Sequence, residues 1–371
     1  MITLSWILAI GLLGPLLASP KRFGMPVAVG EILVGVAFGE SGFKKVPVHS
    51  VTFALLANIG FALVMLIAGS HINISKIFRH KSLAKALLNQ VLVLLLSTII
   101  SLGIVRATHF YHLGLVIVLV SSSSAAIILP IFGEAGDQDP NLELMLVQVA
   151  IADLISVIAI PLVISRKNLA RTVEGSFLIG LCALLIFILL LILRKKGQLR
   201  RMQEYSKSHN FRLELRFSLI ILLALAGVAQ RFSLSVMIAG FTVGLAIAPN
   251  QVSHRLGRQF FALAEGFLAP FYFVWLGAEI DIRATFSNTH HLALALFLGI
   301  GALVAHLATL LTKSRFSFAI ISSAQLGVPV AAVSIGQAAN ILTQGESGAI
   351  MLGALISIIA ITIASSAIKK I

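Results

Sequence analysis

Hydrophobic residues in this chain run in long stretches that short polar segments separate. Each stretch is close to the roughly 20 residues that an α-helix needs to cross a bilayer, whereas a membrane β-barrel would show short alternating strands. The pattern therefore predicts an all-α polytopic membrane protein. We predict thirteen transmembrane helices, which we call spans one to thirteen, at approximately 3–19, 25–40, 51–70, 86–105, 113–133, 144–164, 175–193, 217–230, 233–248, 260–280, 291–312, 317–339 and 347–368.

The least distinct boundary lies at Gln230 and Arg231, between spans eight and nine. Without a turn there, the two spans would merge into one segment of about 30 residues with an arginine near its middle. Excess length and a charge at that depth are both unfavourable in a bilayer, so we predict a turn at this point.

Lysine and arginine residues are distributed unevenly between the two predicted sides of the membrane. Because such residues accumulate on the cytoplasmic side, they indicate an outside N-terminus and a cytoplasmic C-terminus, in a bacterial inner (plasma) membrane. Twenty of the twenty-eight then lie inside: Lys21, Arg22, Lys76, Arg79, Lys81, Lys85, the eight between Arg194 and Arg216, Arg255, Arg258, Lys313, Arg315, Lys369 and Lys370.

Composition agrees with the membrane assignment and excludes other classes. With 58% hydrophobic and 11% charged residues, the chain cannot be a water-soluble globule of this length. Its net charge of +14 is explained by basic loops beside anionic membrane lipid, so we expect no nucleic-acid partner. The longest polar stretch, Arg194 to Arg216, is too short for a soluble regulatory domain, and we expect a single transmembrane domain over 1–371.

Two sequence patterns recur about two hundred residues apart. The segment Gly35–Gly39 in span two resembles Gly240–Gly244 in span nine, and Ser121–Pro130 in span five resembles Ser322–Pro329 in span twelve. We therefore predict two inverted six-helix repeats, at about 1–164 and 217–371, joined by a linker helix at about 175–193. Chance matching of small residues, which are common in membrane helices, is the alternative.

Spans five and twelve also carry residues that interrupt helices. Span five contains four consecutive serines, Ser121–Ser124, and span twelve contains Gly327 and Pro329. Proline removes a backbone hydrogen bond, and serine hydroxyls can satisfy the groups that a break exposes. We predict crossed broken helices here, because broken helices at equivalent places in two repeats mark the substrate site of many transporters. Hydroxyl-bearing packing faces are the alternative.

Asp153 is the only acid between Leu144 and Ile164, in span six. An ionisable group at that depth is a functional hypothesis by default. Desolvation favours its neutral form and a bound cation favours its charged form, so protons and cations would compete for the same carboxyl oxygens. That competition is what a proton-coupled antiporter requires.

Three motifs resemble motifs of the monovalent cation:proton antiporter-2 family, and the resemblance extends over nearly the whole chain. They are Gly30–Gly35 in span two, Gly60–Ile72 in span three and Pro270–Asp281 in span ten. The resemblance implies thirteen helices, a homodimer, an elevator-like motion of a core region, and cation and proton binding at Asp153.

The chain departs from that family's pattern at three places. Ala152 stands where a polar residue usually precedes the key aspartate, Leu326–Val328 replaces a charged motif in span twelve, and His71 replaces an acid after span three. Asp153 is left as the only obvious titrating ligand. We therefore expect one-for-one, electroneutral exchange of Na⁺ or K⁺ for H⁺.

The expected cation ligands are oxygens near Asp153. They are backbone carbonyls at the two breaks together with Ser123, Ser124, Ser156 and Gln325, with Glu31 and His71 as accessory candidates. His306, deep in span eleven, is more typical of a packed, hydrogen-bonded histidine. We expect no cofactor besides the transported ions.

Other functional classes are less compatible with these residues. A sodium-coupled transporter of an organic anion, on a similar inverted-repeat fold, stays open, but it should show an anion pocket and does not require Asp153. A channel would show a filter-like repeat or a ring of acids. An enzyme would need a metal or diphosphate-binding constellation, which the adjacent His290 and His291 do not supply.

Overall fold

A computed structural model describes residues 2–18, 27–48, 50–71, 83–125, 127–128, 139–164, 169–209, 211–232, 234–247 and 254–368. Within these ranges the chain forms α-helices, with one π-helical and one 3₁₀ turn, and no strands, which confirms the all-α prediction. In chain order they are α1 (Ile2–Gly11), α2 (Leu13–Ala18), α3 (Val27–Phe38), α4 (Val51–His71), α5 (Leu83–Thr108), α6 (Leu113–Ser121), α7 (Pro140–Ile164), α8 (Leu169–Lys195), α9 (Gln198–Ser208), α10 (Leu213–Arg231), α11 (Val236–Ile247), α12 (His254–Leu263), α13 (Ala269–Glu279), α14 (Ile282–Phe286), α15 (Thr289–His306), α16 (Phe316–Ser322), α17 (Gly327–Ala338) and α18 (Gln344–Ile368).

Nine helical segments in the described parts of the chain are long and apolar enough to cross a membrane. Three shorter apolar helical segments, Leu4–Ala18, Val27–Phe38 and Val236–Ile247, also coincide with predicted spans. The protein is therefore an integral membrane protein, while the count of thirteen crossings stays a prediction.

The boundary between spans eight and nine lies where the sequence predicted it. Helix α10 ends at Arg231, and α11 begins at Val236. The expectation of a turn at Gln230 and Arg231 is confirmed, and Arg231 lies at a helix end, where its charge is not at the centre of a membrane span.

Span ten is divided near its start by a π-helical turn, Ala264–Leu268, which lies between α12 and α13. Pro270 follows within the first two residues of α13. Because proline has no N–H to donate to the preceding turn, the regular hydrogen-bond ladder cannot pass through this point.

The helices pack as two bundles. The first bundle contains α1–α4 and α10–α13, and the second bundle contains α5–α7 and α15–α18. Packing is extensive within each bundle, while between them α7 contacts α11 over a small area. Asp153 and both predicted breaks belong to the second bundle, so the candidate site lies on one side of this division.

Two close helix contacts hold the first bundle together. Helix α3 lies against α13, where a Cβ on Gly277 would be 2.1 Å from the backbone oxygen of Ile32. Helix α11 lies against α4, where a Cβ on Gly244 would be 2.2 Å from the backbone oxygen of Leu66. Small residues at both contacts let the backbones approach this closely, as is common between membrane helices.

Candidate functional site

Both predicted helix interruptions are present in the second bundle. Helix α6 ends at Ser121, residues 122–124 are not helical, and helical hydrogen bonds resume where the amides of Ile127 and Ile128 donate to the Ser124 carbonyl, both at 3.3 Å. In span twelve, α16 ends at Ser322 and α17 begins at Gly327. Each break exposes backbone groups inside the protein, and these need hydrogen-bond partners.

Asp153 lies on α7, and its side chain is 6% exposed. One carboxyl oxygen, Oδ2, accepts a hydrogen bond of 3.1 Å from the backbone N–H of Ala125, directly after the break in span five. The first amides of a helix lack partners within the helix and carry partial positive charge. The resumed helix therefore supplies a donor to the carboxylate, and Asp153 Oδ1 has no such backbone donor among the described contacts.

The two breaks contact each other through Gln325. Its Nε2 donates to the backbone oxygen of Leu119 and, at 3.4 Å, to that of Ser122. Because backbone oxygens can only accept, the NH₂ group must face the end of α6. The amide oxygen of Gln325 then points away from these carbonyls, and no hydrogen bond to it is seen among the described residues.

The other predicted ligands are buried near Asp153 or near the breaks. Ser123 and Ser124 lie in the interruption of span five, and both are buried. Ser156 is buried one turn beyond Asp153 on α7. The Ser123 hydroxyl also donates to the backbone oxygen of Ser322, so it joins the two breaks directly.

The accessory candidates are not joined to this cluster by any described contact. Glu31 is buried in the first bundle, where its side chain packs against Gly14 and leaves no room for a Cβ there. His71 is the last residue of α4, and its side chain lies outside the part of the chain that is described. Their roles stay predictions.

A cavity of about 550 Å³ lies at the end of the helices that carry Glu279 and Gln337. Glu279 lines it, as does Asp281, which accepts a hydrogen bond of 2.9 Å from the amide of Ala284 and so caps α14. The cavity is lined by residues that follow α3 and α13 on one side and by the end of α17 on the other. It therefore lies where the two bundles meet.

A buried polar network beside α7 was missed by the sequence analysis. Asn89 Nδ2 donates to Gln148 Oε1 at 3.3 Å, and Thr312 donates to Asn89 Oδ1 at 2.5 Å. Gln90 Nε2 donates to the backbone oxygen of Ser121 at 3.2 Å, which satisfies a carbonyl at the break. Two adjacent amides in an otherwise apolar span were the available signal.

The arrangement can hold a hard cation. It combines one buried carboxylate with hydroxyl, amide and backbone oxygens, which are the ligand types that such ions prefer. A helix end that donates to Asp153 stabilises the carboxylate when no cation is present. The same carboxylate can take a proton, so the two ions can alternate at one group.

Gln325→Leu is expected to lower thermal stability. Leucine would leave the Ser122 backbone oxygen without its donor, whereas the Leu119 oxygen would keep the hydroxyl and the backbone N–H of Ser122. Leaving one buried backbone oxygen without a donor costs about 1–3 kcal/mol. The melting temperature of the purified variant should fall by roughly 1–4 °C. Gln230→Leu, at an exposed position near the end of α10, is the matched control and should melt like the parent protein. Equal melting temperatures for both variants would contradict this assignment of Gln325.

A family model described as "Sodium/hydrogen exchanger, transmembrane" matches residues 8–369. Among curated proteins, the chain is 22% identical to "Putative Na(+)/H(+) antiporter YjbQ" of Bacillus subtilis over 95% of this chain, but it spans only 60% of that relative's length. It is also 25% identical to "Na(+)/H(+) antiporter" of Enterococcus hirae, over 87% of this chain and 84% of the relative.

A solved structure has a similar fold. The sodium proton antiporter MjNhaP1 from Methanocaldococcus jannaschii, determined at pH 8, superposes with a TM-score of 0.63. The alignment covers 99% of this chain and 96% of that one, at 17% sequence identity. At this identity the similarity concerns the fold alone.

Proposed function

Because this chain belongs to the sodium/hydrogen exchanger family, we propose that it is a secondary active antiporter that exchanges a monovalent cation, Na⁺ or K⁺, for H⁺ at Asp153. Membership of this family confirms the resemblance to monovalent cation:proton antiporters that the sequence motifs indicate. It also agrees with the expectation that the protein is a transporter and not an enzyme. The relatives' names, which are those of Na⁺/H⁺ antiporters, favour antiport over transport of an organic anion.

One observation carries the proposal for the site. The Asp153 carboxyl is buried and hydrogen-bonded to the backbone at the break of span five, and a second break lies against the first. A buried carboxylate without a basic partner is costly, so binding either a proton or a cation relieves the same penalty. Occupancy by one ion then excludes the other, which couples their transport.

The division into two bundles supports alternating access of the elevator type. The second bundle carries Asp153 and both breaks, and it packs far more extensively within itself than against the first bundle. Movement of the second bundle as a unit would therefore disrupt few contacts. The cavity lined by Glu279 and Gln337 lies between parts of both bundles and would change shape during such a movement.

The reciprocal helix contacts support the inverted repeat. If spans two and nine are equivalent, and spans three and ten likewise, then the α3–α13 contact and the α11–α4 contact are the same contact in two copies. Both rest on glycines from the repeated segments Gly35–Gly39 and Gly240–Gly244. We propose on this basis the thirteen-span plan, with repeats at about 1–164 and 217–371 and a linker helix at about 175–193.

The membrane orientation and the association of two copies are proposed from the sequence. The unequal distribution of basic residues supports a cytoplasmic C-terminus in a bacterial inner membrane. Association of two copies rests on the family resemblance alone.

Exchange is expected to be independent of membrane voltage. A cycle that moves one net charge gains or loses about 2.3 kcal/mol per 100 mV, whereas one cation exchanged for one proton at Asp153 moves none. In proteoliposomes with an internal pH dye, the rate of proton movement driven by Na⁺ should be equal, within measurement error, at zero and at an imposed potential set with valinomycin and K⁺. A potassium assay would set the potential with a lipophilic ion instead.

A rate that changes strongly with the imposed potential would contradict electroneutral exchange and would indicate a second titrating group. Liposomes that contain the Asp153→Asn variant measure the background leak at each potential.

A further inference from the structure

His306 is fully buried at the end of α15, and its ring contacts a backbone oxygen of its own helix and a side chain in the break of span five. The Nδ1 atom lies 2.8 Å from the backbone oxygen of Ala302, one turn earlier. A backbone oxygen can only accept, so this contact assigns the ring proton to Nδ1. In a neutral imidazole the other nitrogen, Nε2, is then an acceptor.

The partner of that acceptor is the hydroxyl group of Ser123. His306 Nε2 lies 3.3 Å from Ser123 Oγ, and the same oxygen is in short hydrogen-bond contact with the backbone oxygen of Ser322. A hydroxyl has one hydrogen, and here it faces two acceptors. Either His306 or the Ser322 carbonyl can receive it, but not both at once.

The position of the Ser123 hydroxyl hydrogen decides how many oxygen atoms at the two breaks can bind a cation. When the hydrogen lies between Ser123 and Ser322, it occupies a lone pair of the Ser322 carbonyl. When it points to His306, the Ser123 hydroxyl oxygen and the Ser322 carbonyl oxygen face each other with free lone pairs. Two such oxygens repel unless a cation lies beside both of them.

We propose that His306 is a positioning residue of the exchange site, which accepts the Ser123 hydrogen when a cation binds and so turns Ser123 Oγ and the Ser322 carbonyl into a pair of ligands. The proposal rests on the proposed function, since it assigns these oxygens to the cation that Asp153 binds. His306 itself does not touch the ion. Its Nδ1 bond to Ala302 holds the ring in the tautomer that can accept.

The test compares His306→Leu, Ser123→Ala, the double variant and His306→Gln in the proteoliposome assay. His306→Leu should raise the apparent KM for the cation by about tenfold, which corresponds to the loss of one good interaction, and should change the maximal rate less than about twofold. Because His306 acts through Ser123, Ser123→Ala should raise the apparent KM by a similar factor. The double variant should then show that single factor and not the product of the two. His306→Gln should recover part of the affinity, since the glutamine amide oxygen can accept the same hydrogen.

His290→Leu is the matched control, because His290 is exposed at the start of the same helix. Multiplying effects in the double variant, or a fall in maximal rate with an unchanged KM, would overturn the positioning role.

If His306→Leu does not fold, as judged by size-exclusion chromatography, His306→Gln and Ser123→Ala still test the proposal. A parental KM in Ser123→Ala would contradict it. Asp153→Asn is measured in parallel: its failure to stop exchange would overturn the proposed function, whereas normal KM in the His306 and Ser123 variants would overturn only this inference.

Discussion

An Asp153→Asn variant is expected to lose cation-dependent proton movement. Asparagine keeps the size of the side chain but can neither take a proton nor supply a charge to a cation. Losing one partner of a buried charge interaction costs roughly 3–5 kcal/mol, which corresponds to about a hundredfold or more in affinity. Dequenching of an internal pH dye on addition of Na⁺ or K⁺ should therefore fall to the level of empty liposomes.

Asp139→Asn is the matched control for that experiment. Asp139 lies immediately before α7, and its carboxylate forms a 2.8 Å ion pair with the largely exposed Arg315. Exposed pairs of this kind contribute about 0–1 kcal/mol, so exchange should continue near the parental rate. Unchanged activity in Asp153→Asn, with normal amounts of folded protein, would remove the central claim about the site.

The buried aspartate and the two helix breaks could be predicted from the sequence because their signals are local. A single acid in an apolar span, four consecutive serines and a nearby glycine and proline each disturb a membrane helix in a recognisable way. Helix breaks at Ser122 and Ser323 occur where these residues stand. The physical penalty for a charge or a free backbone group in a bilayer is large enough for composition alone to reveal it.

The partners of these residues could not be predicted, because backbone atoms and tertiary packing supply them. The donor to Asp153 is the amide of Ala125, and any residue except proline carries that group. Gln325 was expected to present an oxygen to the cation, but its nitrogen also satisfies the end of α6. Glu31 entered the accessory set because it is an acid near a span end, and its burial against Gly14 in the first bundle depends on how α2 meets α3.

The long polar stretch between spans seven and eight contains a helix that hydrophobic length does not predict. Its length excludes a soluble domain, but residues Gln198–Ser208 within it form the helix α9. Tyr205 on this helix packs against His209, which directly follows it, with ring centroids 4.4 Å apart. This helix is rich in charged residues, so no apolar stretch marks its position in the sequence.

Gly277→Val and Gly244→Val are expected to prevent the accumulation of folded protein. Valine at Gly277 would place its Cβ 2.1 Å from the Ile32 backbone oxygen, and at Gly244 it would lie 2.2 Å from that of Leu66. A backbone oxygen cannot move aside as a side chain can, so each pair of helices must separate. Overpacking costs typically about 1–3 kcal/mol, and more where helix backbones carry the contact. Fluorescence-detected size-exclusion chromatography of tagged variants should show little monodisperse protein.

Gly180→Val separates this steric effect from the lower helix propensity of valine. Gly180 lies in α8, and a Cβ there meets no atom within 4 Å, so this variant should elute like the parent. If the two contacts are equivalent copies in an inverted repeat, Gly277→Val and Gly244→Val should also destabilise the protein to a similar degree. A severe defect in one variant and none in the other would count against the equivalence of the two contacts. Two copies of one contact should be destabilised to a similar degree by the same substitution.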